Sequence, residues 1–89
     1  MVRPRTLVLT PEARAALEAA RDRDPRAYLR ERAAALLRIA DGWPVRRVAR
    51  SGLLRPRRPE TVAAWLDRYL ATGLDGLVQQ ARRPRGLPP

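Results

Sequence analysis

Proline placement divides this chain before any other feature does. Pro11, Pro25, Pro44 and Pro59 recur at short, similar intervals. Proline lacks a backbone N–H, and its ring collides with the carbonyl four residues back, so none of these belongs inside a helix. Each suits a first helical turn, where the N–H has no partner anyway. The stretches between them are rich in Ala, Leu and Arg, all strong helix formers. The chain therefore reads as a string of short helices, each opened by a proline.

Thr10-Pro11-Glu12 predicts the first start, with Thr as N-cap and Glu12 complementing the positive end of the helix dipole. That helix is expected to reach about Ala20, with Ala13, Ala16, Leu17 and Ala20 on one stripe. Asp24-Pro25 repeats the start signal. In the second, longest helix, Leu29, Ala33, Leu36, Leu37 and Ala40 recur at spacings of three and four, the pattern of a core-facing stripe. Gly42 suits a left-handed cap behind Asp41. A third helix covers about Pro44 to Ser51, with Val45, Val48 and Ala49 inward and Arg46, Arg47 and Arg50 outward. Gly52 is its expected end. Pro56 and Pro59 keep the next stretch a loop. The fourth helix runs from Pro59 to about Thr72 on a stripe of Val62, Trp65, Leu66 and Tyr69, and Gly73 stops it. Residues 74–77 form a tight turn or a single helical turn. No strand signal competes. The fold class is all-α, a bundle of four to five short helices over residues 1–80. Residues 81–89, rich in Arg and Pro, are expected to be a flexible basic arm.

Composition removes several chemistries. There is no Cys and no His, so disulfides, thiolates, zinc sites of the usual kinds and the commonest general base are all excluded. The acids are scattered and form no convincing acid/base pair, so enzymatic activity is not expected. No cofactor or small-molecule ligand is expected either. No apolar run approaches a membrane span, and a cytoplasmic, nucleoid-associated location is the expectation.

Charge points to the partner. All 19 basic residues are Arg, against 9 acids, for a net charge of +10. The excess is uneven: from Arg46 to Arg58 there are six Arg and no acid. A GC-rich coding bias explains why the bases are Arg, but not why they gather there. The expected partner is a polyanion, and double-stranded DNA fits best.

The third and fourth helices, with small Ala49 allowing close approach, have the ingredients of a helix-turn-helix. Here the sequence resembles the N-terminal, homeodomain-like DNA-binding region of bacterial mariner-like insertion-sequence transposases. The matching pieces begin with Leu9-Thr10, Glu12, Leu17, Asp24-Pro25-Arg26 and Arg30-Glu31-Arg32-Ala33. They continue through Leu36-Leu37, Ala40-Asp41-Gly42, Val45-Arg46 and Val48-Ala49. They end with Thr61-Val62, Trp65-Leu66, Arg68-Tyr69, Gly73-Leu74, Gly76-Leu77 and the Arg-Pro-Gly tail. The resemblance implies duplex DNA binding, as at transposon ends. The span from Gly52 to Trp65 is longer than in the usual pattern. Pro59, Glu60, Ala63 and Ala64 stand where the family often has longer polar side chains. The length leaves no room for the family's nuclease domain, so a stand-alone binding module or a fragment is expected.

In this reading the fourth helix enters the major groove. Glu60, Thr61, Ala64 and Arg68 are its candidate groove residues. Arg46, Arg47, Arg55, Arg57 and Arg58 are the candidate phosphate contacts. Arg82, Arg83 and Arg85 are candidates for the arm, either in an A·T-rich minor groove or held near DNA by charge alone. The alternative function is a helical interaction module, with the Ala-rich first helices forming a homodimer or joining an accessory subunit to a larger complex.

Overall fold

The computed structural model describes residues 6–78. The flexible-arm expectation for 81–89, with Arg82, Arg83 and Arg85, lies outside the described residues, as does the expected boundary between domain and arm. Within them the chain is all-helical. Helix α1 spans Pro11–Arg23, α2 Ala27–Ala40, α3 Val45–Ser51 and α4 Pro59–Thr72, followed by a 3-10 turn at Gly73–Leu77. No helix among the described residues is long and apolar enough to cross a membrane.

The prolines at 11 and 59 open their helices as the sequence predicts. At α1, Thr10 Oγ1 accepts the backbone N–H of Ala13 at 3.0 Å. Pro25 does not open α2. Asp24 instead accepts the backbone N–H of Arg26 at 2.8 Å, a local turn that sets Pro25 outside the helix and starts α2 at Ala27. With Asp24 held at the turn, α1 continues to Arg23 rather than ending near Ala20. Gly42 takes a φ of +104° behind α2, the left-handed stop expected of it. Gly52 does not: its φ of −88° is open to any residue. Its value is space, because a Cβ there would sit 2.9 Å from the Val48 Cα. Gly76 is more confined. A Cβ would overlap the Arg68 carbonyl and lie 2.6 Å from Thr72 Oγ1, so the 3-10 turn folds back onto the end of α4 only because Gly is there.

Helix α2 is the centre of the bundle and touches α1, α3, α4 and the 3-10 turn. Its apolar surface is accordingly wider than one stripe. Leu29, Ala33, Leu36 and Leu37 are buried as expected, and so are Ala35 and Ile39. Around it close Leu17 and Ala20 of α1, Val48 and Ala49 of α3, and Val62, Trp65 and Leu66 of α4. Leu77 seals one end, and Leu7 of the lead-in is also buried. Ala16 is exposed, which narrows the stripe of α1. Tyr69 and Trp43 are half-buried against the core, so both act chiefly as apolar packing.

The half-buried Arg32 of α2 ties the 3-10 turn down. Its Nη1 donates to the Leu77 carbonyl at 2.9 Å. Its guanidinium carbon lies 4.9 Å from the Tyr28 ring centre and 5.4 Å from that of Trp65. Burial lowers its pKa, and Nε has no hydrogen-bond partner among the described residues.

The Asp24 turn has a pH signature. Its hydrogen bonds to the Arg26 side chain, and then to the Arg26 backbone N–H, hold the carboxyl below the usual Asp value. The unfolded chain therefore takes up a proton there before the native one does. The stabilisation is complete above about pH 4 and is lost as pH falls through the depressed native value. Asp22 beside Arg21 behaves alike. Urea unfolding followed across the acid range should therefore show Asp24→Asn losing less stability below about pH 4 than the parent protein loses. Parallel acid profiles would remove Asp24 from this role.

Candidate functional site

The fold sorts the guanidinium groups into two populations. In the first, Arg14 binds Asp41 at 2.7 Å, with Glu18 farther off at 3.8 Å. Arg21 binds Asp22 at 2.7 Å, and Arg26 binds Asp24 at 3.0 Å. Hydrogen bonds to these carboxylates raise the pKa of each arginine. The second population has no carboxylate within ion-pair distance among the described residues; it takes in Arg23, Arg30, Arg32, Arg38 and Arg68, and a cluster of five, Arg46, Arg47, Arg50, Arg55 and Arg58.

Those five come from α3 and the loop after it. On α3, Val48 and Ala49 are buried, which turns Arg46, Arg47 and Arg50 to the opposite, exposed side. Arg46 and Arg50 are one helical turn apart and share a face. Arg50 therefore belongs to the same set, although the sequence marks it only as outward-facing and not as a phosphate contact; its spacing from Arg46 is the signal that could have found it. Trp43 organises one edge of this face. Its ring centre lies 4.1 Å from the Arg47 guanidinium carbon and 4.7 Å from that of Arg38. A guanidinium stacked on a ring keeps its in-plane N–H donors free for an oxygen acceptor.

Arg57 departs from expectation. The sequence places it in an acid-free run, but the fold brings Glu31 of α2 to it. Arg57 Nε donates to Glu31 Oε2 at 2.7 Å and Nη2 to Oε1 at 2.8 Å, a two-point fork. This bond raises the Arg57 pKa. Its backbone N–H also donates to the Ala49 carbonyl at 2.7 Å. Arg57 therefore clamps the loop between α2 and α3, whereas Arg55 and Arg58 remain exposed on either side of it.

Arg58 is the N-cap of α4 and makes no side-chain cap. Beyond it, Glu60, Ala64 and Arg68 are exposed and Thr61 is half-buried. Glu60 and Ala64 lie away from Val62, Trp65 and Leu66, whereas Thr61 and Arg68 flank Trp65 at spacings of four and three residues. Asp67 is exposed on α4 as well, so Glu60 and Asp67 offset Arg68 there. The cationic charge is thus carried by α3 and the loop, and α4 presents short side chains with a net charge of −1 from Glu60, Asp67 and Arg68.

Comparison with known proteins returns no matching family model, no matching curated protein and no matching solved structure.

The Arg57–Glu31 clamp is partly exposed, with side-chain exposures of 37% and 20%. Such a pair contributes about 1 kcal/mol at most. Arg57→Met should lower the thermal midpoint by a few degrees, while Arg58→Met should leave it unchanged when both are followed by circular dichroism. Equal shifts in the two variants would show that the fork holds nothing.

Proposed function

We propose that the chain is a duplex DNA-binding module of the helix-turn-helix, homeodomain-like kind, related in design to the DNA-binding region of transposases. The observation that carries this reading is the gathering, on α3 and the loop after it, of five arginines without carboxylate partners among the described residues: Arg46, Arg47, Arg50, Arg55 and Arg58. A solvated surface gains nothing from gathering like charges, which repel one another and raise the cost of folding. A phosphate backbone repays them through counterion release.

In this reading α3 runs along the sugar–phosphate backbone and α4 lies in the major groove. Arg46, Arg47 and Arg50 grip phosphates from α3, with Arg47 aimed by Trp43. Arg55 and Arg58 grip from the loop. Arg57 holds the loop in position and makes no phosphate contact. The near-neutral face of α4 suits close approach to base edges without strong discrimination. Ala64 offers a methyl group to thymine, and Arg68 is the long side chain able to reach guanine. Affinity then comes from the backbone, and sequence preference is weak.

Binding of a labelled duplex, followed by anisotropy across salt concentrations, tests this directly. With about five phosphates engaged, log affinity should fall against log salt with a slope near −4 to −5. Replacing Arg46 and Arg50 by Ala should bring the slope toward zero by about 2 and weaken all duplex sequences alike. A salt-independent complex, or no complex at low salt, would overturn the proposal.

A further inference from the structure

A second surface is built differently. Between α2 and the loop after α3 lies an open groove of about 730 Å3, within the range of binding clefts. Helix α2 lines it with Ala27, Tyr28 and Ala34, and the loop with Leu53 and Leu54. Leu54 is fully exposed, although a leucine gains from burial and no described residue covers this one. Arg21, Arg30, Arg38, Arg55 and Arg57 also line the groove. The carboxylate among the lining residues, Glu31, is already engaged by Arg57.

Apolar side chains among guanidiniums select one class of occupant. A phosphate backbone matches the charge but leaves Leu54 without an apolar partner. A small anion matches the charge but leaves Leu54 in water. A second copy brings another +10 of charge toward a basic groove. An acidic peptide with apolar side chains satisfies both features. Leucine-like groups would cover Leu53 and Leu54, and carboxylates would meet Arg guanidiniums in charge-assisted hydrogen bonds.

We propose that this groove docks an acidic, apolar-anchored peptide segment of a partner protein, seated on Leu53 and Leu54 and held by Arg30 and Arg38. The proposal stands independently of DNA binding. It adds a protein contact on the α2 side of the loop whose Arg55 and Arg58 serve the proposed DNA face.

The probe is a synthetic peptide of alternating Leu and Glu/Asp residues, titrated into isotope-labelled protein and read by amide chemical shifts. A matched Leu and Gln peptide is the control. Shifts are expected at Tyr28, Ala34, Leu53 and Leu54 with the acidic peptide and not with the neutral one. Leu54→Asp should weaken binding about tenfold or more, since it removes an apolar contact and adds repulsion. Leu70→Asp, at the other exposed leucine on α4, should bind as the parent does. Equal binding of the neutral peptide, or shifts confined to α3, would overturn the proposal. So would an unaffected Leu54→Asp variant. Self-association in sedimentation that Leu54→Asp abolishes would overturn it too, by assigning the groove to a second copy.

Discussion

Every other helix of the described chain leans on α2. That constraint decides which side chains α2 carries. Where α1, α3, α4 and the 3-10 turn close around it, it presents Leu29, Ala33, Ala35, Leu36, Leu37 and Ile39. The alanines let neighbouring backbones come close, and the larger residues fill the space between them. The charged residues left over on α2 then act as fasteners. Glu31 forks onto Arg57 and fixes the loop, Arg32 reaches the Leu77 carbonyl and fixes the 3-10 turn, and Arg38 stacks on Trp43. A central helix fastened in this way holds a small domain together without a disulfide.

The same arrangement partitions the charge. Glu18, Asp22, Asp24 and Asp41 lie close to arginines in the first half of the chain, and Glu31 reaches forward to Arg57. On α3 and the loop after it, Arg46, Arg47, Arg50, Arg55 and Arg58 gather without a carboxylate among the described residues. Their exposure follows from the burial of Val48 and Ala49 on one side of α3 and from the Arg57 clamp on the loop. Packing in the core thus sets where the free cationic charge appears on the surface, and the DNA reading rests on that consequence of packing.

Much of the helix order was legible in the sequence because proline and capping chemistry act locally. Thr10-Pro11 and Pro59 begin helices for reasons contained within a single turn, and Gly42 ends one for the same kind of reason. Asp24-Pro25 misled because Asp24 caps a turn rather than a helix, and the signals for the two are alike. The breadth of α2 was not legible: periodicity reveals one stripe, whereas burial of Ala35 and Ile39 needs neighbours on further sides. The Glu31–Arg57 fork was equally invisible, since it joins residues distant in sequence. A local count of acids made Arg57 look available, and only tertiary packing supplies its partner. For the same reason the charge on α3 was visible in the sequence, while its separation from the near-neutral face of α4 emerged from the fold.

The distinction between paired and unpaired arginines can be measured directly. Arginine-selective isotope labelling reports each guanidinium Nε–H separately as a short duplex is added at low salt. The Arg46, Arg47, Arg50, Arg55 and Arg58 signals should move and gain protection from exchange, while those of Arg14, Arg21, Arg26 and Arg57 stay where they are. Movement spread evenly over both groups, or confined to the carboxylate-bound one, would contradict the central claim that packing selects which guanidiniums meet DNA.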